Sequence, residues 1–428
     1  MVATKLNELS ASEIAAGIAD GKFTAEAVMR DCLERIEARE GALSAWASFD
    51  PDLAMAEARA RDNAPAKGVL HGVPIGVKDV IDTNDLPTEM GSPIYAGHRP
   101  GNDAACVSLL RAAGAIILGK TITCEFAGMT PGATRNPLDT NRTPGGSSSG
   151  SAAAVADHMV HVALGTQTRG SILRPASYCG IVGYKPSFGL VARGGLKFAA
   201  ESFDTIGALA RTIDDAELSV SVLSGALAMK GAALSSPPSV GVCRDGLERA
   251  EDETVQALED AATRLGLAGA RMREFSFPCD VEDFTAATKI INDVERARAT
   301  AWEWQTQPEL ISERMRTCIE AGLATPFDEY VSAMRLIGDC RARIYADFDE
   351  IDVVLAPCVN GEAPAGLDYT GDPFFQGLWT ALHVPTISLP THRGPNDLPV
   401  GIQLVGNKYE DKALLAAARW VFACLRSN

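Results

Sequence analysis

The chain has 428 residues, 46% of them hydrophobic and 6% aromatic, with a formal net charge of −16. That is the composition of a globular protein with material for a large core. Its acidity argues against nucleic acid as the main partner, because phosphate binding needs a basic face.

Apolar runs such as Leu218 to Met229 are too short to cross a bilayer. The N-terminal MVATKLNELS lacks the charged-then-apolar order of a signal peptide. The ten cysteines form no CxxC pair. The expectation is therefore reduced thiols in a cytoplasmic protein, with no metal site, no membrane and no nucleic acid.

Ser10-Ala-Ser-Glu13 is a capping box that opens a helix to about Asp20. Thr24 caps a second helix with Val28, Cys32, Leu33 and Ile36 on one face. The Ala/Glu/Arg-rich stretch to Asp62 reads as helical again. In VLHGVPIGVKD (Val69 to Asp79), β-branched residues mark a strand that ends at Lys78. A lysine there usually points to water. The other reading is a buried lysine whose pKa desolvation has lowered, which would make it usable as a base.

Ala104 to Thr121 reads as a helix followed by a strand at Ala115 to Leu118. Gly114-AIIL-Gly119-Lys120-Thr121 matches a phosphate-binding pattern in letters only, because its four middle residues make a buried strand and not a loop. Gly146-Ser-Ser-Ser-Gly150 matches the GxSxG elbow with Ser148 as nucleophile, but polar coil precedes it where the elbow needs a strand. An esterase of that type also needs a late histidine, and only His383 and His392 are available.

Gly145 to Gly183 concentrates its hydroxyls in two Gly/Ser loops that bracket a small-residue helix (Ser151 to His158) and a central strand (Met159 to Leu164). That layout can bring Ser147 and Ser171 together as nucleophile and proton relay. The backbone N–H groups of Gln167-Thr-Arg-Gly-Ser171 stand before a short turn or helix broken by Pro175, and would serve an oxyanion. Downstream come a separate β–α–β unit (Pro238 to Phe277), a mostly helical stretch to Asp349, and strands at Val353 to Ala356, Thr386 to Leu389 and Val400 to Val405. A last helix begins at Asp411.

HGVPIGVKD, LRAAGAIILGKT (Leu110 to Thr121), PGGSSSGSAAAV (Pro144 to Val155), GSILRPASYCGIVGYKPSFG (Gly170 to Gly189) and LPVGIQLVG (Leu398 to Gly406) together resemble the amidase signature family over essentially the whole chain. Ser147 and Ser171 stand 24 positions apart, as the relay and nucleophile serines of that family do. The resemblance implies a three-layer α/β/α fold with a central mixed, twisted sheet, and a cofactor-independent amide hydrolase. The whole chain reads as one domain: a helical arm (1–62), the signature core (63–235), the β–α–β excursion with its helical cover (236–350), and closing strands and helix (351–428).

By that resemblance Ser171 is the acylated nucleophile, Ser147 follows a cis peptide and passes the proton, and Lys78 is the neutral base. The N–H groups of Thr168, Arg169, Gly170 and Ser171 form the oxyanion hole. TEMGSPIY (Thr88 to Tyr95), Gln167-Thr168 and Arg174 resemble malonamidase-type members, in which that arginine binds the substrate's carboxylate. The implied partner is a small-molecule amide, with a homodimer by analogy.

One departure is Arg169, at a position that is usually glycine. If that backbone needs a positive φ, the site is weakened; otherwise Arg169 adds a second substrate-binding cation. The competing readings are a non-catalytic descendant and an amidotransferase-type glutaminase subunit.

Overall fold

The structure, a computed structural model, describes residues 5–225 and 233–426. The first four residues of the N-terminal segment and the end of the Leu218 to Met229 run lie outside them. No helix among the described residues is long and apolar enough to cross a membrane.

Eleven strands form one sheet: β1 (Trp46–Phe49), β2 (Pro74–Lys78), β3 (Ile116–Thr121), β4 (Val162–Gln167), β5 (Val182–Lys185), β6 (Thr205–Ala210), β7 (Ser239–Cys243), β8 (Arg271–Phe275), β9 (Val353–Pro357), β10 (Thr386–Arg393) and β11 (Pro399–Val405). Their order is β1-β3-β2-β4-β6-β5-β10-β11-β9-β7-β8. The sheet is mixed: β3, β2 and β4 run parallel, as do β9, β7 and β8, and the strands between pair antiparallel.

The helices are α1 (Ala11–Ala19), α2 (Ala25–Leu43), α3 (Pro51–Asp62), α4 (Ala105–Ala112), α5 (Ser149–Ala156), α6 (Leu173–Cys179), α7 (Ile213–Leu223), α8 (Asp252–Leu267), α9 (Val281–Ala299), α10 (Ala301–Thr306), α11 (Glu313–Ala324), α12 (Phe327–Asp347), α13 (Phe374–Ala381) and α14 (Asp411–Arg426). Every residue of β2, β3 and β4 is buried, which is why these strands read as nearly continuous apolar runs.

The capping box at Ser10 is present: its hydroxyl accepts from Glu13 N and its N–H donates to the Glu13 carboxylate at 2.8 Å. Several expectations need correction. The helical arm is interrupted by β1, where the Glu40 carboxylate accepts from the N–H groups of Ala45 and Trp46 and turns the chain into a strand against β3. β4 starts later than expected and ends at Gln167, and α5 starts two residues earlier, at Ser149.

Pro175 does not break a helix but sits in the first turn of α6, where the missing N–H has no intrahelical partner to lose. The β–α–β unit does not stand apart, because β7 pairs with β9 and extends the same sheet. Not all thiols are free: the packing of α9 against α12 brings Cys279 and Cys340 together in a disulfide.

α5 lies unusually close to the sheet edge. A Cβ on Gly150 would fall 2.2 Å from Ala45 O and 2.4 Å from Ile122 N, both rigid backbone atoms. Gly150→Ala should therefore cost about 2–3 kcal/mol or more through overpacking. Urea unfolding checks this, and an unchanged midpoint would contradict the close approach.

Candidate active site

Lys78 ends β2 between β3 and β4, and its side chain is 0% exposed. The water-facing reading is thereby excluded. Its Nζ lies 2.8 Å from Ser147 Oγ, 2.7 Å from Thr166 Oγ1 and 3.4 Å from Thr166 O. No carboxylate among the described residues forms an ion pair with it. Burial pulls its pKa down to about 7, with the Arg174 charge adding to the effect and Asp204 opposing it.

Ser147 follows a cis peptide, Gly146–Ser147, at the mouth of α5. Its carbonyl accepts from Cys124 N, and the next N–H, of Ser148, donates to Ser171 O at 3.3 Å. This backbone bond ties the two serine loops together. Ser148 Oγ is engaged with the Thr166 backbone and does not face the cavity as an elbow nucleophile would. Ser171 is 8% exposed and lines a cavity of about 220 Å³. Lys78 and Ser147 are in direct contact, whereas Ser171 joins them through the backbone.

The loop from Thr168 to Ser171 is held by its neighbours. The Gln167 carboxamide folds across it, its Oε1 accepting from Ile172 N and Leu173 N at 2.8 and 3.0 Å. Gln167 Nε2 donates to Thr380 Oγ1, and that hydroxyl lies 2.7 Å from Arg169 O. Arg174 N donates to Gly170 O, and Thr168 Oγ1 donates to Asp204 at 2.5 Å. The carbonyls of Arg169, Gly170 and Ser171 are thus occupied, while the loop's four N–H groups donate to no backbone or side-chain acceptor among the described residues.

Arg169 is absent from the non-glycine residues with positive φ. The expected backbone conflict therefore does not arise. The position that needs glycine is Gly170, where a Cβ would meet Gln376 Oε1 at 2.4 Å.

Arg174 is 3% exposed. Its Nη2 donates to Gly146 O at 2.7 Å and to Thr370 Oγ1 at 3.2 Å, while Nε and Nη1 have no partner. Arg169 has no ion pair among the described residues, and its buried Nε is also unpartnered. Burial lowers the pKa of both guanidinium groups.

The residues missed by sequence reading are Thr166, which holds Lys78, and Gln376 and Thr380 of α13. Only Thr166 left a trace, as a hydroxyl at the end of an apolar strand. The phosphate-loop and esterase patterns find no support in the geometry. Lys120 is buried in β3 and pairs with Asp79 at 3.1 Å and Thr88 at 2.5 Å. His383 stacks on Phe188 and its Nε2 bonds Ser202 O, with no hydrogen bond to a serine hydroxyl among the described residues.

A family model described as Amidase matches residues 27–415. A glutamyl-tRNA(Gln) amidotransferase subunit of Anaeromyxobacter sp. (strain K) is 32% identical, over 97% of this chain and 96% of the relative. A crystal structure of an amidase superposes with a TM-score of 0.89 at 31% identity, covering 97% of this chain and 99% of the other. The peptide amidase of Stenotrophomonas maltophilia superposes at 0.81 with 27% identity, covering 98% of each chain.

A lysine with a pKa of about 7 can accept a proton only in its neutral form. Labelling of Ser171 by a serine-directed fluorophosphonate should rise about tenfold per pH unit below pH 7 and level off above it. Labelling rates measured from pH 5 to 9 check this; a flat profile in the unsubstituted protein would refute the assignment of Lys78.

Proposed function

The chain belongs to the amidase signature family and is an amide hydrolase, and on that premise we propose that it cleaves a small linear carboxamide through an acyl-enzyme on Ser171. Ser171 Oγ attacks the amide carbon as its proton passes to Ser147 Oγ and the Ser147 proton passes to neutral Lys78 Nζ. The carbonyl oxygen takes up negative charge facing the N–H groups of Thr168, Arg169, Gly170 and Ser171. Collapse breaks the C–N bond, and the proton returns through Ser147 to the leaving ammonia or amine. Water then repeats the sequence to free the acid.

The observation that carries this reading is the 2.8 Å contact between a wholly buried Lys78 and Ser147. It supplies the base that a serine hydroxyl lacks. The substrate is a carboxylate-bearing, malonamate-like amide, because Arg174 and Arg169 line the cavity beside Ser171 with unpartnered N–H groups. A guanidinium pairs with a carboxylate through two parallel hydrogen bonds.

The amidotransferase-type glutaminase subunit is the second reading, favoured by the 32% identical amidotransferase relative. It would require partner subunits for full activity. The reading of a weakened, non-catalytic descendant loses its motive, since the Arg169 backbone is not left-handed.

Ammonia release from malonamate by the purified chain tests the proposal. Ser171→Ala should lower kcat by at least about a thousandfold. Arg174→Ala should raise KM for malonamate and lower kcat together, because the same side chain supports the Gly146 carbonyl. Full activity of Ser171→Ala would end the acyl-enzyme proposal, and turnover of glutamine alone, only with added subunits, would favour the second reading.

A further inference from the structure

The cavity's charge is out of keeping with the chain's. In a protein of formal charge −16, the walls around Ser171 carry Arg169, Arg174, Arg296, Arg314 and Lys289. Lys289 is paired with Asp293 at 2.5 Å, four residues along α9. The four arginines form no ion pair among the described residues: Arg296 donates to Phe126 O at 3.2 Å and Arg314 to Asp368 O at 2.6 Å, both neutral carbonyls.

Two further carboxylates stand nearby without pairing with an arginine. Asp204 is taken up by Thr168 and by the N–H groups of Ala199 and Ala200. Asp372 accepts from Phe374 N. Among the residues that line the cavity, Asp293 is the one carboxylate against five cations, and it is taken by Lys289. The four lining arginines are left without a lining carboxylate.

The arginines also come from two groups of elements. Arg169 and Arg174 belong to the loop and helix that carry Ser171, whereas the buried Arg296 lies on α9 and the exposed Arg314 on α11. The cavity beside Ser171 therefore takes guanidinium groups from two sources, the Ser171 loop with its helix and the helices α9 and α11.

We infer that the substrate is dianionic, a linear amide with a carboxylate on each side of the scissile bond, one taken by Arg169 and Arg174 and the other by Arg296 and Arg314. This rests on the proposed function and narrows it. Free glutamine, a zwitterion of zero net charge, fits the cavity poorly. A monoanion leaves one guanidinium pair unanswered.

The test compares N-malonylglycine, which has a carboxylate on both sides of its amide, with malonamate, N-acetylglycine, acetamide and glutamine. The expected order of kcat/KM puts N-malonylglycine about 10- to 100-fold above either monoanion, the range of one hydrogen bond to a charged group. Its kcat/KM should also fall more steeply with added salt than that of malonamate. Arg314→Gln and Arg296→Gln should each narrow the gap between N-malonylglycine and malonamate. Equal kcat/KM for N-malonylglycine and malonamate, both abolished in Ser171→Ala, would overturn the dianion and leave the acyl-enzyme reading standing. A preference for glutamine would overturn it in favour of the amidotransferase-type reading. Hydrolysis that persists in Ser171→Ala would sink the acyl-enzyme reading and the inference with it.

Discussion

The site depends on one contact, that between Lys78 and Ser147, and on its enclosure away from bulk solvent with no carboxylate paired to the lysine. Moving a lysine pKa from 10.5 to about 7 corresponds to about 5 kcal/mol of differential solvation. Only a rigid, wholly enclosed position sustains that. Lys120, one strand away and equally buried, shows the alternative: its ammonium is met by the Asp79 carboxylate, and the pair is structural. Lys78 is offered only hydroxyl and carbonyl oxygens, from Ser147 and Thr166. These accept its hydrogens without fixing its charge. β3 and β4, on either side of β2, provide the enclosure, so this parallel trio of strands is a condition of the proposed chemistry.

The second condition is polar satisfaction. An oxyanion hole needs N–H groups that are free, yet a loop with free donors must be held by something else. Here the holding falls to the carbonyls and to side chains from distant segments. Gln167 spans the loop, Asp204 anchors Thr168, and Thr380 reaches Arg169 O from a position 211 residues away in sequence. Arg174 does two things at once, bonding the Gly146 carbonyl through Nη2 and leaving two N–H groups unpartnered. The Ser171 and Ser147 loops therefore share a single cation.

What was legible in the chain was local. The capping box at Ser10, the Thr24 cap, the strand at Val73 to Val77 and the Gly/Ser loops each declare themselves within a few residues. Lys78 as a strand-end residue was legible too. Its burial was not, because that is set by β4, which arrives more than 80 residues later. The same limit explains Arg169. A glycine was expected there from pattern alone, but the backbone is ordinary at 169, and the space is lacking at Gly170 because Gln376 of α13 fills it. Pro175 misled for a local reason: it falls in the first turn of α6, where proline is tolerated, and not in a helix interior. The Cys279–Cys340 bridge depends on the packing of α9 and α12, which spacing alone does not reveal.

Burial acts on Lys78 and Arg174 in the same direction and with opposite consequences. Both lose hydration, and both pKa values fall. A lysine starts near 10.4, so the loss brings it to neutrality at physiological pH. Arginine starts above 12 and keeps its charge despite the burial. In the proposed mechanism one enclosed volume thus supplies both a neutral base and a permanent cation. The cation in turn lowers the lysine further, since Arg174 disfavours a second positive charge nearby. An anionic substrate group seated on Arg174 would offset that field as it binds, making Lys78 a stronger base once the cavity is filled. On the proposed mechanism, recognition of charge and activation of the serine are therefore coupled through Arg174, whose charge disfavours that of Lys78.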